Sequence, residues 1–213
     1  MKLLLPIGND SGFALVIAMM IMVILTMLGI FATNTSRMEL NISGNDKVAK
    51  EAFFRADGGT EAGIMLTEAN LSCPNGFRTN ANPIKLVGID VFEKDFAIAN
   101  SAPKDLPGAS NSTTENDVPT DLIRSARLPV NPANRSDTLP HTNLAIWSSG
   151  TKFLAGSAIQ MVSGYEGVGK GAAAGGGMKQ MVIASQHKGL RGAEAKVFLG
   201  WRHIIGQEGN CNY

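Results

Sequence analysis

Gly164, Gly169 and Lys170 in the stretch SGYEGVGKGAAAGGG stand at the G-x-x-x-x-G-K spacing of a phosphate-binding loop. Such a loop lies between a strand and a helix. It holds phosphate with backbone N–H groups and a lysine, and magnesium with a following Ser or Thr. Gly171 takes the place of that hydroxyl. Ala172, Ala173 and Ala174 run straight into Gly175, Gly176 and Gly177, so no helix is expected to follow. Roughly 40 residues remain, little more than the ~30 that one βαβ unit takes. The stretch reads as a glycine-rich connection between two late strands, costly to order and suited to being fixed by a neighbouring subunit.

The other chemically capable residues are scattered. His141, His187 and His203 show no His-x-x-x-His or mixed ligand spacing and read as surface or sheet histidines, not metal ligands. Glu115, Asp117 and Asp121 lie among Asn and Thr oxygens, as a calcium loop would, but lack its D-x-D-x-D-G order and read as a solvated loop. There is no Gly-x-Ser-x-Gly or other triad signature. No catalytic residue, metal or cofactor is expected. Cys73 and Cys211 sit in no C-x-x-C; a cytosolic protein would bury them as thiols and an exported one would pair them.

The elements that carry these residues begin with a membrane segment. No charge occurs between Asp10 and Arg37, and residues 13–32 are almost unbroken apolar. As a helix such a run spans roughly 30 Å, the thickness of a bilayer core. It is too long for a secretory signal, and residues 31–34 make a poor cleavage site. A plain anchor explains its length but not the short leader before it, where Asp10 offsets Lys2. A net charge of +1 argues against nucleic acid as a partner. The remaining length allows one soluble domain, and 24 glycines with 6% aromatics suit a loop-rich β domain better than a dense α/β core.

Residues 34–70 continue the helix with an imperfect apolar face of Ile42, Val48, Ala49, Ala52, Phe53, Ala56, Ile64, Met65 and Leu66. Gly29 and residues 43–45 are weak points. Cys73-Pro74-Asn75-Gly76 ends the helix. Residues 84–92 form a possible strand. Residues 97–143 read as a long irregular connection with one short strand near 122–130. Strands are expected at 157–163, 178–185 and 192–204. In the last of these Ala193, Ala195, Val197, Leu199 and Trp201 share one face, with Glu194, Lys196 and Arg202 on the other. These elements make an α+β fold: a long N-terminal helix packed on a small C-terminal antiparallel sheet.

Gly12 followed by Phe13, Ala14, Leu15, Val16 and a long apolar helix resembles a type IV prepilin processing site. The wider pattern resembles the N-terminal region of PilX-type minor pilins: the start at residues 12–16, LTMLG at 25–29, and AFFRADGGTEAGI at 52–64. The match covers about the first 65 residues. Asp10 and Asp57-Gly58-Gly59 depart from it, and the two successive glycines are a weak point in the helix.

The resemblance implies a leader of residues 1–12, cut after Gly12 by the prepilin peptidase, which then methylates Phe13. It implies a helix over 13–70 whose part 13–32 is a single-pass inner-membrane anchor carrying Leu15, Val16, Ile17, Leu25 and Leu28. It implies a periplasmic head over 71–213, reaching the pilus and cell surface after assembly. The implied partners are other minor and major pilins and a PilY-type tip adhesin. Export would join Cys73 to Cys211, closing a loop of roughly 140 residues and contributing up to about 5 kcal/mol. Most major pilins carry glutamate at the fifth mature position, where this chain has Ile17. An initiating or tip-proximal subunit would need no such carboxylate; drift in a low-copy subunit would leave the same residue. Ile17 also fits the tip pseudopilin of type II secretion. A membrane-anchored periplasmic enzyme or sensor is the reading outside this class.

Overall fold

The computed structural model describes residues 11–72, 87–92, 103–106, 108–131, 133–153 and 177–204. They form one long helix, α1 (Ser11–Ser72), and five strands: β1 (Asp90–Val91), β2 (Ala126–Pro129), β3 (His141–Phe153), β4 (Gly177–Lys188) and β5 (Glu194–Ile204). The chain divides into two compact units, Met1–Lys47 and Val48–Tyr213.

In the first unit residues 13–32 of α1 are apolar on every side, and an 18-residue window reaches a mean hydropathy of 2.8. Its hydroxyls turn back onto the helix's own backbone. Thr26 Oγ1 donates to the Val23 carbonyl at 2.8 Å, and Thr33 Oγ1 to that of Ile30 at 2.9 Å. That satisfies a polar group within an apolar stretch.

In the second unit α1 lies on an antiparallel meander with strand order β1-β2-β3-β4-β5. Ala52, Ala56, Gly59, Gly63 and Leu66 recur every three or four residues on the buried face. The expected face was wrong in its bulkier members: Phe53 is 51% exposed, Met65 61% and Ile42 62%. The weak point expected at Gly58 and Gly59 does not interrupt the helix, because α1 runs through both. A Cβ on Gly59 would stand 2.2 Å from Ser185 Oγ and 2.7 Å from Thr142 Cγ2; one on Gly63 would stand 2.5 Å from Ile183 Cγ2. The glycines let the helix backbone touch the sheet, and that packing offsets a propensity cost of roughly 1 kcal/mol each.

Under the helix lies a core of Leu66, Ala126, Leu144, Ile146, Met181 and Ile183. A second core of Leu106, Val118, Ala145, Trp147 and Ala184 fills the opposite face of the sheet. Residues of the polar connection cap this outer core, so β3 is covered on both sides and His141 through Ser148 are all buried. That explains why β3 escapes a sequence reading. A strand buried on both faces, one of them partly polar, loses the period-two signal. The expected strands near 122–130, at 178–185 and at 192–204 appear as β2, β4 and β5, and β5 keeps its alternation. The candidate strand at 157–163 lies outside the described residues.

Candidate functional site

The predicted processing site falls in the first turn of α1. Gly12 has no atom within 4 Å of where a Cβ would stand, and Phe13 is exposed. Leu15, Val16, Ile17, Leu25 and Leu28 are exposed as well, with Ile17 the least so at 41%. The first turn contains no acidic residue, and the first carboxylate after Asp10 is Glu39. A helix this apolar on all sides is matched to lipid or to other apolar helices, not to water.

The head places its polar residues in a connected network on the outer face of the sheet. Arg124 grips Asp137 with both terminal nitrogens at 2.9 Å, and its Nη1 also donates to Asn143 Oδ1 at 2.8 Å. Arg127 bridges Asp137 at 2.5 Å and Asp90 at 3.2 Å, and Arg135 also pairs with Asp90. The Arg124 guanidinium lies 4.4 Å from the centre of the Phe92 ring, that of Arg127 5.2 Å. Asp121 accepts from Lys188 Nζ at 2.6 Å and Asn143 Nδ2 at 2.8 Å, with His141 Nε2 2.8 Å away. Burial alone would raise the Asp121 carboxyl, but the hydrogen bonds from Lys188, Asn143 and His141 outweigh it and hold it well below the carboxylate range. Hydrogen bonds from Arg124, and then Arg127, lower Asp137 against a smaller effect of burial. The network ties the 121–137 connection to the strands and is structural in form.

The predicted chemical candidates do not converge. His141 faces the outer side of the sheet and His187 the helix side, while His203 stacks on Trp201 with ring centres 5.5 Å apart. Asp117 is taken up by Thr114, whose backbone N–H donates to it at 2.7 Å, and Asp121 by the network, so the two are spent on separate partners. Among the described residues no group of three His, Cys, Asp or Glu could hold a metal. Gly164, Gly169 and Lys170 lie outside the described residues, but the strands they connect, β3 and β4, pair antiparallel. A phosphate loop needs a parallel surround. Cys73 and Cys211 also lie outside the described residues.

A cavity of about 140 Å³ opens between the helix and the sheet, lined by Val48, Ala52, Val130, Pro140, Leu190 and His187. Burial, reinforced by Arg55, pushes His187 down to about 4. Its Nδ1 lies 2.9 Å from Thr142 Oγ1. So neutral an imidazole is a weak general base at pH 7.

One comparison matches the N-terminal part of the chain. Residues 11–61 match the PilX N-terminal family model. No curated protein and no solved structure matches the chain. The matched segment contains the whole apolar run and reaches Gly59, where the helix meets the sheet. The match covers about a quarter of the chain and supports a pilin-like protein of the PilX type; the apolar helix fits a single-pass membrane anchor, and the α+β layout is pilin-like. The pilin family is structural.

The sequence reading missed the Gly59–Gly63 docking seam and the arginine–aspartate network. The small residues at 52, 56, 59 and 63 were a visible signal for the seam. The network joins Asp90 to residues some 40 positions away, and no local pattern announces it.

Proposed function

We propose that this chain is a minor pilin of the type IV pilus, a structural and priming subunit near the filament tip that supports pilus assembly. The observation that carries this reading is the PilX N-terminal match on a helix that is apolar all round and continuous into a folded head. The prepilin peptidase removes residues 1–12 after Gly12 and methylates Phe13. Residues 13–32 hold the subunit in the inner membrane, with residues 13–70 as its helix and residues 71–213 as a periplasmic head. Extraction into a filament then exchanges lipid for the helices of other minor and major pilins, which costs little because both surroundings are apolar.

Ile17 supports the position near the tip. With no acidic residue between Phe13 and Glu39, the mature helix offers no carboxylate to the freed amino terminus of a subunit beside it. An uncompensated charge there is costly, so the chain is best placed where nothing precedes it. In the periplasm Cys73 and Cys211 pair, tying the end of the helix to the C-terminal tail. A PilY-type adhesin is the proposed tip partner, and the role is structural, not catalytic.

Deletion of the gene tests the reading. It is expected to remove surface pili and leave exoprotein secretion intact. Loss of secretion with pili retained would instead assign the chain to the tip of a type II secretion pseudopilus. Restoring pili with an Ile17→Glu variant tests the tip position, since a carboxylate in the first subunit has no amino terminus to meet.

A further inference from the structure

His187 is only 2% exposed, and it lines the cavity of about 140 Å³ between the helix and the sheet. Its Nδ1 meets Thr142 Oγ1 at 2.9 Å, while its Nε2 has no hydrogen-bond partner among the described residues. A Cβ on Gly189, another residue of the cavity wall, would stand 3.5 Å from that free nitrogen. Buried polar groups are nearly always paired, and leaving one unpaired is costly. We propose that the cavity is a binding site for a single phenolic ring, whose hydroxyl accepts a hydrogen bond from His187 Nε2.

The hydrogen bonding decides where the ring proton sits. Thr142 is buried, and among the described residues its Oγ1 meets only Nδ1. If Nδ1 donated, the Thr142 hydroxyl proton would be left without an acceptor. With Thr142 donating, both protons are used well and the N–H stands on Nε2. Burial keeps this imidazole neutral at pH 7, so the cavity presents a donor without a charge. Glu51 lines the same cavity. Its Oε1 accepts from Arg55 at 3.0 and 2.8 Å, and its Oε2 has no partner among the described residues. A donor and an acceptor together suit a hydroxyl, which accepts from one and donates to the other. A carboxylate suits them poorly, because Glu51 repels it. The rest of the wall is apolar, from Val48, Ala52, Val130, Pro140 and Leu190. An apolar cavity of about 150 Å³ takes a benzene ring, so there is room for one ring and no more. A free small phenol and a tyrosine side chain of a neighbouring subunit carry the same group.

NMR of the full chain in lipid nanodiscs tests the site, with the free ligand concentration measured in each titration. Phenol should shift the His187 imidazole and the Val48 methyls. It should bind about ten-fold tighter than benzene, the effect of one net hydrogen bond, and benzoate should bind at least about ten-fold more weakly than phenol. In His187→Leu phenol should fall to the affinity of benzene, with benzene still bound. Ala52→Leu, which fills the cavity, should abolish both. Should His187→Leu fail to fold, Gly189→Ala puts the same question, since its methyl stands beside Nε2 at ordinary contact distance and should blunt the preference for phenol. N-acetyltyrosinamide is the second arm. Binding as tight as phenol assigns the ring to a tyrosine side chain, and binding of phenol alone assigns it to a free small phenol. Equal affinity for phenol and benzene, or no ring bound at all, would overturn the proposal. So would a preference for phenol that survives both His187→Leu and Gly189→Ala, or binding that survives Ala52→Leu.

Discussion

On its helix side the sheet meets Ala52, Ala56, Gly59 and Gly63; on its outer side it meets Arg124, Arg127, Asp121 and Asp137. Both faces are closed over, by opposite means. The helix side is joined by bringing backbone against side chains until no room is left for a Cβ. The outer side is joined by long side chains that reach an irregular segment and neutralise one another. A helix can repeat a small residue every three or four positions and so present a smooth seam. A connection with no period cannot, and it must be pinned at chosen points by directional bonds. The helix side therefore depends on shape and the outer side on charge.

The sharpest way to break the shape-dependent side is Gly59→Leu. The new side chain would start inside Ser185 and Thr142, so α1 has to lift from the sheet. A loss of about 3 kcal/mol is expected by thermal or denaturant unfolding. On the charge-dependent side, Arg124→Ala leaves Asn143 and one carboxylate oxygen of Asp137 without a donor. About 2 kcal/mol should go, less than for a fully buried pair because Asp137 is partly open to water.

Acid should separate the two faces in sequence. His187, under the helix, is lowered by burial to about 4, so the unfolded chain binds its proton first. The stability it contributes is full above about pH 6.5 and is lost as pH falls from there toward 4. Asp121 and Asp137 are lowered, so their contribution is present above the ordinary carboxylate range and lost as pH falls below it. A pH series of unfolding midpoints should fall in two stages. His187→Gln should abolish the first stage, and Asp121→Asn should shrink the second.

The smallest test uses a neighbouring residue. Gly58 has nothing within 4 Å of its missing Cβ, so Gly58→Ala should stabilise the head by about 0.5–1 kcal/mol through helix propensity. The same change at Gly59 should destabilise it. Opposite signs at adjacent glycines would show that contact, not composition, sets their value.

Much of this architecture was legible in the residues. The apolar run and the alternation of β5 are periodic, and periodicity survives in sequence. Gly59 was legible only as a weak point of the helix, because its value depends on Ser185 and Thr142, more than 80 residues away. β3 was hidden because the segment covering its outer face supplies polar partners to His141 and Asn143, so its residues look like loop. The apolar run that follows Phe13 was the most legible, since it is written in consecutive residues.

That N-terminus also carries the central claim. Intact mass of the protein purified from cells containing the prepilin peptidase should correspond to a chain that begins at N-methylated Phe13. A chain that still begins at Met1 in those cells would contradict the pilin account.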